Sequence, residues 1–251
     1  KMGHVFLLDR ETGEPLYPIE ERPTPQGAVP EEKLSPTQPF PTHPKPLHPL
    51  ELDPEDAFGF TFLDRGYCRD LLERYRWDGL FTPPSVEGSI QMPHSGGGPN
   101  WGGVAIDEAR GVMILNQTHA ALVNILIPRA EADLPDSADF AYPNEFYTMR
   151  GAPYAVNRFL LASQFGAPCN PPPWGSLTAV DLRSGEIKWK RALGTLRESA
   201  PFPIWLFFED YGAPAFGGGM STDSGLYFIG ATLDKYFRAF DVETGEELWR
   251  D

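Results

Sequence analysis

The side chains of this sequence able to do chemistry are five histidines, two cysteines and an excess of carboxylates, so their spacing is the first question. His4, His43, His48, His94 and His119 show no metal-ligand spacing. The loop Ser95–Asn100, SGGGPN, is rich enough in glycine to wrap an anion. It lacks the strand-to-helix context and the lysine of a phosphate loop. No GxSxG nucleophile elbow occurs. With 35 Asp and Glu residues, carboxylate pairs arise everywhere and pairing alone carries no information. Asn100 and Trp101 sit in a glycine-rich turn that could face the axis of a repeat fold, although Trp101 reads more readily as core. Cys68 and Cys169 form no metal pattern; a single disulfide in an oxidising compartment and two buried thiols both stay open.

Other aspartates are placed by a repeat. Leu177 to Trp189, LTAVDLRSGEIKW, returns as Phe237 to Trp249, FRAFDVETGEELW, with Ala179, Asp181, Gly185 and Trp189 answering to Ala239, Asp241, Gly245 and Trp249. Leu7, Asp9, Gly13 and Tyr17 form a degenerate copy, and Asp107 to Gly111 a half-copy without the aromatic. Internal repetition governs the fold reading. Alternating residues suit a strand; Asp opens a turn by accepting backbone N–H groups, and Gly supplies the positive φ that closes it. The unit is a hairpin ending in a large ring, and a lone hairpin must stack on neighbours to be stable. Trp189 and Trp249 are therefore structural, each expected to cost several kcal/mol on removal.

Composition agrees with a turn-rich β protein. Pro 27 and Gly 25 in 251 residues disfavour long helices, and 41% hydrophobic residues support a core. A net charge of −14 argues against a nucleic-acid partner. No apolar run reaches the length of a membrane span. The first residues enter a strand without a signal peptide, which reads as a fragment or a processed product.

Along the chain, Lys1–Tyr17 reads as a hairpin and Pro18–Pro54 as a proline-rich loop pinned by Phe40, Leu47, Leu50 and Leu52. Asp64–Trp77 reads as a helix with Tyr67, Cys68, Leu71, Leu72 and Tyr75 on one face. Residues 18–80 are thus a proline-rich and helical insertion. Strands follow near Ser89–Met92, Gly103–Asp107, Val112–Asn116 and Ala121–Ile127. Residues 128–165 read as an irregular acidic loop insertion, Pro201–Phe216 as an aromatic connector, and 177–251 as the most regular repeats. Short antiparallel strands with repeated ring anchors predict an all-β fold of four-stranded sheets stacked around an axis.

Segments outside the repeat carry a family likeness. GHVFLLDRETGEPLYP, SPTQPF, GYCRDL, GLFTPPSVEGSI, NWGGVAID, LIPRA, PCNPPPWGSLTAVDL and GATLDKYFRAFD resemble the quinoprotein dehydrogenases, in particular the membrane-bound glucose, quinate and polyol branch. The AxDxxxGxxxW repeat is similar to their tryptophan-docking motif. The methanol and ethanol branch is more distant, since no two cysteines here are neighbours. The resemblance implies that residues 1–251 are the C-terminal part of an eight-bladed β-propeller. It further implies oxidation of a sugar or polyol hydroxyl by pyrroloquinoline quinone, with electrons passing to ubiquinone, in a periplasmic, inner-membrane-associated enzyme. The catalytic aspartate and the ligands of a calcium or magnesium ion would lie upstream, so neither a catalytic nor a metal-binding residue is assigned here. The fragment alone would be inactive, its partner being the remainder of the propeller.

Two cofactor positions carry over by the resemblance. Lys1, two residues before Gly3, matches a cation that reaches the quinone carbonyls and would stabilise developing negative charge; a disordered terminal lysine is the plainer reading. Asn116, closing VMILN, matches an asparagine whose amide contacts the cofactor; turn chemistry is the alternative. Phe216 stands where alcohol-oxidising relatives carry a tryptophan, which weakens any stacking role. Two rival readings are a non-catalytic periplasmic propeller scaffold and a subunit completing a partner's propeller.

Overall fold

Four aspartates build four equivalent turns. In the computed structural model, which describes residues 1–30, 32–130, 140–141, 144–197, 203–207 and 211–251, Asp181 Oδ1 accepts from the N–H groups of Arg183 and Ser184, both at 2.9 Å. Asp241 does the same for Thr244 at 2.8 Å, Asp9 for Glu11 and Thr12, and Asp107 for Arg110. In each turn the glycine four residues on donates back to the aspartate carbonyl at 2.8 Å. Gly185 and Gly245 hold φ of 71° and 69°, which only glycine adopts without strain.

In chain order the elements are β1 (Ile19–Pro23), β2 (Thr37–Pro41), α1 (Phe62–Arg74), β3 (Ser89–Gln91), β4 (Ala105–Asp107), β5 (Val112–Thr118), β6 (Leu122–Pro128) and β7 (Phe140–Ala141). There follow β8 (Asn144–Tyr147), β9 (Tyr154–Leu160), β10 (Gly175–Asp181), β11 (Ile187–Ala192), β12 (Gly219–Ser221), β13 (Leu226–Ile229), β14 (Arg238–Asp241) and β15 (Glu247–Arg250). They make four antiparallel sheets: β1-β2, β11-β10-β5-β4, β12-β13-β14-β15 and β3-β6-β9-β8-β7. Among the described residues the class is all-β with one α-helix.

The repeat spacing has a register behind it. Ala179 pairs with Trp189 and Ala239 with Trp249, and both pairs are followed by the same one-residue bulge. Each anchoring ring then reaches the next turn. Trp189 lies against Gly245, where a Cβ would stand 2.6 Å from the indole, and Nε1 donates to Val242 O at 2.9 Å. Tyr17 lies against Gly185 and donates to Arg183 O at 2.9 Å. Between the two four-stranded sheets, Val112, Ile114, Leu177 and Leu193 meet Tyr227, Ile229, Phe240 and Val242 in one apolar cluster.

Several expectations are corrected. The region 128–165 is not an irregular loop: within it β7 pairs with β8 and β8 with β9, and β9 joins β6 and β3 to complete a five-stranded sheet, while 131–139 and 142–143 lie outside the described residues. Acidic and aromatic residues on a sheet with one open side hid the alternation. The proline-rich segment contains the β1-β2 pair and is pinned by buried Phe40, Leu47 and Leu52, whereas Leu50 is only half-buried. The first hairpin shrinks to a single bridge, Leu8 with Pro15. Proline lacks the N–H that would extend it. Helix α1 starts and stops earlier than expected. Thr61 caps it by accepting from Asp64 N–H, and Asp64 turns inward to accept from Phe60 N–H. Tyr67 is consequently exposed. Parts of the expected 201–216 connector, namely 201–202 and 208–210, also lie outside the described residues.

Cys68 and Cys169 are bonded and fully buried, joining α1 to the segment after β9. The link closes a span of 101 residues, and a loop of that order restricts the unfolded chain by about 4–5 kcal/mol. Trp249 is 50% exposed, so the equal cost expected for both tryptophans is not what the packing shows. Replacing Trp189 with Ala is expected to lower the free energy of denaturant unfolding by about 3–5 kcal/mol, with Trp249→Ala costing less than half of that.

A polar layer sits under β5. His48 and His119 are buried with ring centroids 4.7 Å apart, beside fully buried Gln117, and His119 Nε2 lies 2.6 Å from Ser176 Oγ. Burial pushes the His48 imidazole down to about 4 and holds His119 well below its usual range. An unfolded histidine titrates near 6.5, so between these values the unfolded chain binds more protons. Stability therefore rises with pH through that window and is lost as pH falls from about 6.5 to about 4, by roughly 3 kcal/mol for His48. Unfolding midpoints should drop between pH 7 and 5, and drop less in His48→Gln. An identical drop in the variant would assign the acid sensitivity elsewhere.

Candidate functional site

The glycine-rich turn His94–Gly103 brings together the N-terminal residue and two sheets. His94 N–H donates to Ala120 O, Gly98 N–H to Lys1 O at 2.7 Å, and Thr118 N–H to Gly98 O. Gly97, at φ 88°, passes so close to the Lys1 side chain that a Cβ would stand 2.8 Å from its own. The stem of Lys1 is thereby guided to its end point. The ammonium donates to Gly96 O at 2.8 Å and to Asn100 Oδ1 at 3.0 Å. Asn100 Oδ1 also accepts from Trp101 N–H, and its Nδ2 is buried without a partner. Trp101 is 80% exposed, with the Lys1 ammonium 5.8 Å from its ring centroid. The expectation that Trp101 belongs to the core is overturned: Gly102 and Gly103 follow it, and the backbone there packs so tightly that the ring must point out.

Asn116 enters from the other side. It is 3% exposed in the middle of β5, and its Nδ2 donates to Gly217 O at 3.0 Å. Two residues on, Thr118 Oγ1 exchanges bonds with Ala215 O and N. The stretch Ala215–Gly218 is thus clamped onto β5. Gly102 then meets Gly218 backbone to backbone, since a Cβ on Gly102 would stand 2.2 Å from Gly218 N. Lys1 and Asn116 touch opposite ends of one turn: Lys1 at Gly96–Gly98 and Asn100, Asn116 through Gly217 and the Gly102–Gly218 contact. Lys1 has two hydrogen-bond acceptors on that turn.

Beside Lys1 opens a cavity of about 400 Å³ whose walls include His94, Ser95, Gly96, Glu145, Arg158 and Phe216. Arg158 Nη1 donates to Ser95 Oγ at 2.7 Å, Nη2 to Tyr147 Oη at 2.7 Å, and Nε to Glu145 Oε2. Tyr147 Oη donates to the same carboxylate oxygen at 3.0 Å. Burial, then the charges of Arg158 and Lys1, lower the His94 pKa against an opposing pull from Glu145. A neutral His94 accepts from Gly96 N–H through Nδ1 at 2.9 Å. Phe216 packs edge-on to His94 at 6.1 Å. Glu145, Tyr147 and Arg158 lie on β8 and β9, inside the stretch taken as loop, so sequence reading missed them. The alternation in YAVNRFL was the available signal.

The groups present are a lysine ammonium held by neutral oxygens, an open indole face, and an amide nitrogen without a partner. Among the described residues, no cluster of three or more His, Cys, Asp or Glu could hold a metal.

The whole chain, residues 1–251, matches the family described as PQQ: Glucose/ethanol/alcohol dehydrogenase, beta-propeller domain. It is 37% identical over 255 residues to the quinoprotein glucose dehydrogenase of Escherichia coli (strain K12), covering 100% of this chain and 32% of that protein. It is 36% identical to the probable quinate dehydrogenase (quinone) of Xanthomonas campestris pv. juglandis, with the same coverage. To the glycerol dehydrogenase large subunit of Gluconobacter thailandicus it is 36% identical, covering 99% of this chain and 36% of that one. The chain spans about a third of the length of these relatives.

The joint between the two sheets is open to a simple check. Gly102→Ala is expected to destabilise the protein by at least about 2 kcal/mol, because a new methyl must displace the Gly218 backbone. Gly103→Ala, at φ 68° with no atom near its Cβ position, should cost about 1 kcal/mol in denaturant unfolding.

Proposed function

Because the chain belongs to the PQQ glucose/ethanol/alcohol dehydrogenase β-propeller family, we propose that it is part of an enzyme oxidising a sugar or polyol hydroxyl to a carbonyl. The observation that carries this reading to a site is the Lys1 ammonium, fixed by Gly96 O and Asn100 Oδ1 beside the open Trp101 ring. Pyrroloquinoline quinone, when bound, supplies the two-electron acceptor for the substrate carbon. Lys1 would hold it through the third ammonium hydrogen and would supply a fixed positive charge against the negative charge that grows on reduction. Asn116 contributes the amide hydrogen it does not spend on Gly217. The unpartnered Nδ2 of Asn100 is a further donor, and Trp101 offers a flat face to a planar ring.

The propeller is proposed to close as a ring of eight blades together with sequence outside residues 1–251. Supporting this are two consecutive ring-on-glycine joints, Tyr17 on Gly185 and Trp189 on Gly245. Gly13 has no atom within 4 Å of its Cβ position, and half-exposed Trp249 ends the last repeat; both suit further joints of the same kind. The catalytic aspartate and the calcium or magnesium ligands are placed in that outside sequence, with ubiquinone as electron acceptor. A periplasmic, inner-membrane-associated setting fits the Cys68–Cys169 disulfide. Among the described residues no helix is long and apolar enough to cross a membrane.

The test uses the full-length protein loaded with pyrroloquinoline quinone and calcium or magnesium, an artificial dye acceptor, and a panel of glucose, sorbitol, glycerol and quinate. Dye reduction is expected with at least one substrate. Lys1→Met should lower kcat by about 10²–10³-fold and weaken quinone binding measured by titration of the apoenzyme. Bound quinone with no oxidation across the panel would overturn the reading.

A further inference from the structure

The cavity beside Lys1 has a wall that the cofactor-holding groups do not use. Ser95 and Gly96 are neighbours on one turn: Gly96 O takes the Lys1 ammonium, and Ser95 Oγ takes the Arg158 guanidinium. The cavity and the Lys1 ammonium thus share the Ser95–Gly96 turn. At about 400 Å³ the space falls within the range of small-molecule sites, roughly 300–1,000 Å³. Its lining combines apolar groups, Leu122, Phe159 and Phe216 among them, with Ser95, Glu145 and Arg158.

Charge narrows the occupant. Arg158 and Glu145 form a one-to-one ion pair, with side chains 24% and 37% exposed, so the pair is accessible but carries no net charge. Two more of the five Arg158 N–H groups donate to the neutral oxygens of Ser95 and Tyr147, which leaves two for a ligand. His94 is neutral as an acceptor for Gly96 N–H. A substrate carboxylate entering here would have to compete with Glu145 for Arg158, at the cost of leaving one carboxylate desolvated and unpaired. Neutral hydroxyls face no such cost: they can donate to a carboxylate and accept from a guanidinium at the same time.

We propose that this cavity is the subsite for a neutral polyhydroxylated substrate, with adjacent hydroxyls bridging Glu145 and Arg158 and the C–H face of the substrate lying on Phe216. The assignment rests on the dehydrogenase reading and sharpens it, ranking neutral sugars and polyols above hydroxy acids.

Full-length, quinone-loaded enzyme is assayed with glucose, sorbitol, glycerol and quinate, alongside Glu145→Gln and Arg158→Lys. Quinone content is followed by absorbance. Both variants are expected to raise KM for the preferred neutral substrate at least tenfold, to change kcat by less than threefold, and to retain full quinone. Glu145→Gln keeps the size of the side chain but puts an amide donor where a hydroxyl-accepting oxygen stood, so it stands in should Arg158→Lys not fold. Binding of a non-oxidisable 1,5-anhydro-polyol to the quinone-free protein, measured by calorimetry, is expected to weaken in step with KM. Unchanged KM and unchanged analogue affinity in an active enzyme would overturn the subsite alone. Quinate with a lower KM than every neutral substrate would overturn it too. A quinone-loaded wild type inactive on the whole panel would remove the dehydrogenase reading and this subsite with it.

Discussion

The structure depends on a ring seated against a glycine. Gly185 and Gly245 each meet two demands at once. The turn opened by Asp181 or Asp241 needs positive φ at that position, and the neighbouring repeat needs a face without a Cβ. Tyr17 and Trp189 fill those faces and anchor their polar atoms on the carbonyls of Arg183 and Val242. The socket cannot drift, because the aspartate that shapes it also fixes the carbonyl. The ring cannot drift either, because Ala179 opposite Trp189 sets the strand register. Removing any one of these residues loosens the others, which is the cooperativity expected of stacked repeats.

From that joint follows the placement of β5. Both of its faces are buried, one against the N-terminal segment through Leu115, Gln117 and the His48–His119 layer, the other against the last sheet through Ile114, Asn116 and Thr118. A strand so held is a rigid ruler. Gly98 reads its position through Thr118, and Ala215–Gly218 read it through Asn116 and Thr118. The loop that carries the candidate site is thus pinned from two blades although it has no regular structure of its own. Preorganisation of this kind is what a site needs when its charges must not relax during reaction.

How far the sequence discloses this differs between turn and tip. The AxDxxxGxxxW spacing reveals the turns, the bulged register and the Trp189 joint, since these are local and repeat in identical form. The helix is legible from its apolar face, though Asp64 and Tyr67 exchange places because a cap outweighs the pattern. The sheet from β6 to β9 is not legible. Its strands leave between β5 and β10 of another sheet and return only after Leu160, a long-range pairing with no local mark. Lys1 and Asn116 came from family likeness, not from chemistry visible in the chain. The exposed face of Trp101 came from neither, since it is decided by a backbone contact between Gly102 and Gly218 that lie more than a hundred residues apart.

The two cations at the site show why net charge says little about local function. The chain carries 35 acidic and 21 basic residues, enough carboxylate to pair every lysine and arginine. Arg158 is so paired, with Glu145, and what it lends to the cavity is the direction of its donors. Lys1, whose acceptor Gly96 follows the Ser95 that Arg158 contacts, ends on Gly96 O and Asn100 Oδ1, which are neutral. No carboxylate neutralises it among the described residues, so its charge stays uncompensated beside the Trp101 ring. Neutral oxygens orient an ammonium as firmly as a carboxylate would, but they leave its field intact. On the proposed reading, one turn would carry both kinds of recognition: a field for an acceptor that becomes negative, and a hydrogen-bonding template for a substrate that stays neutral.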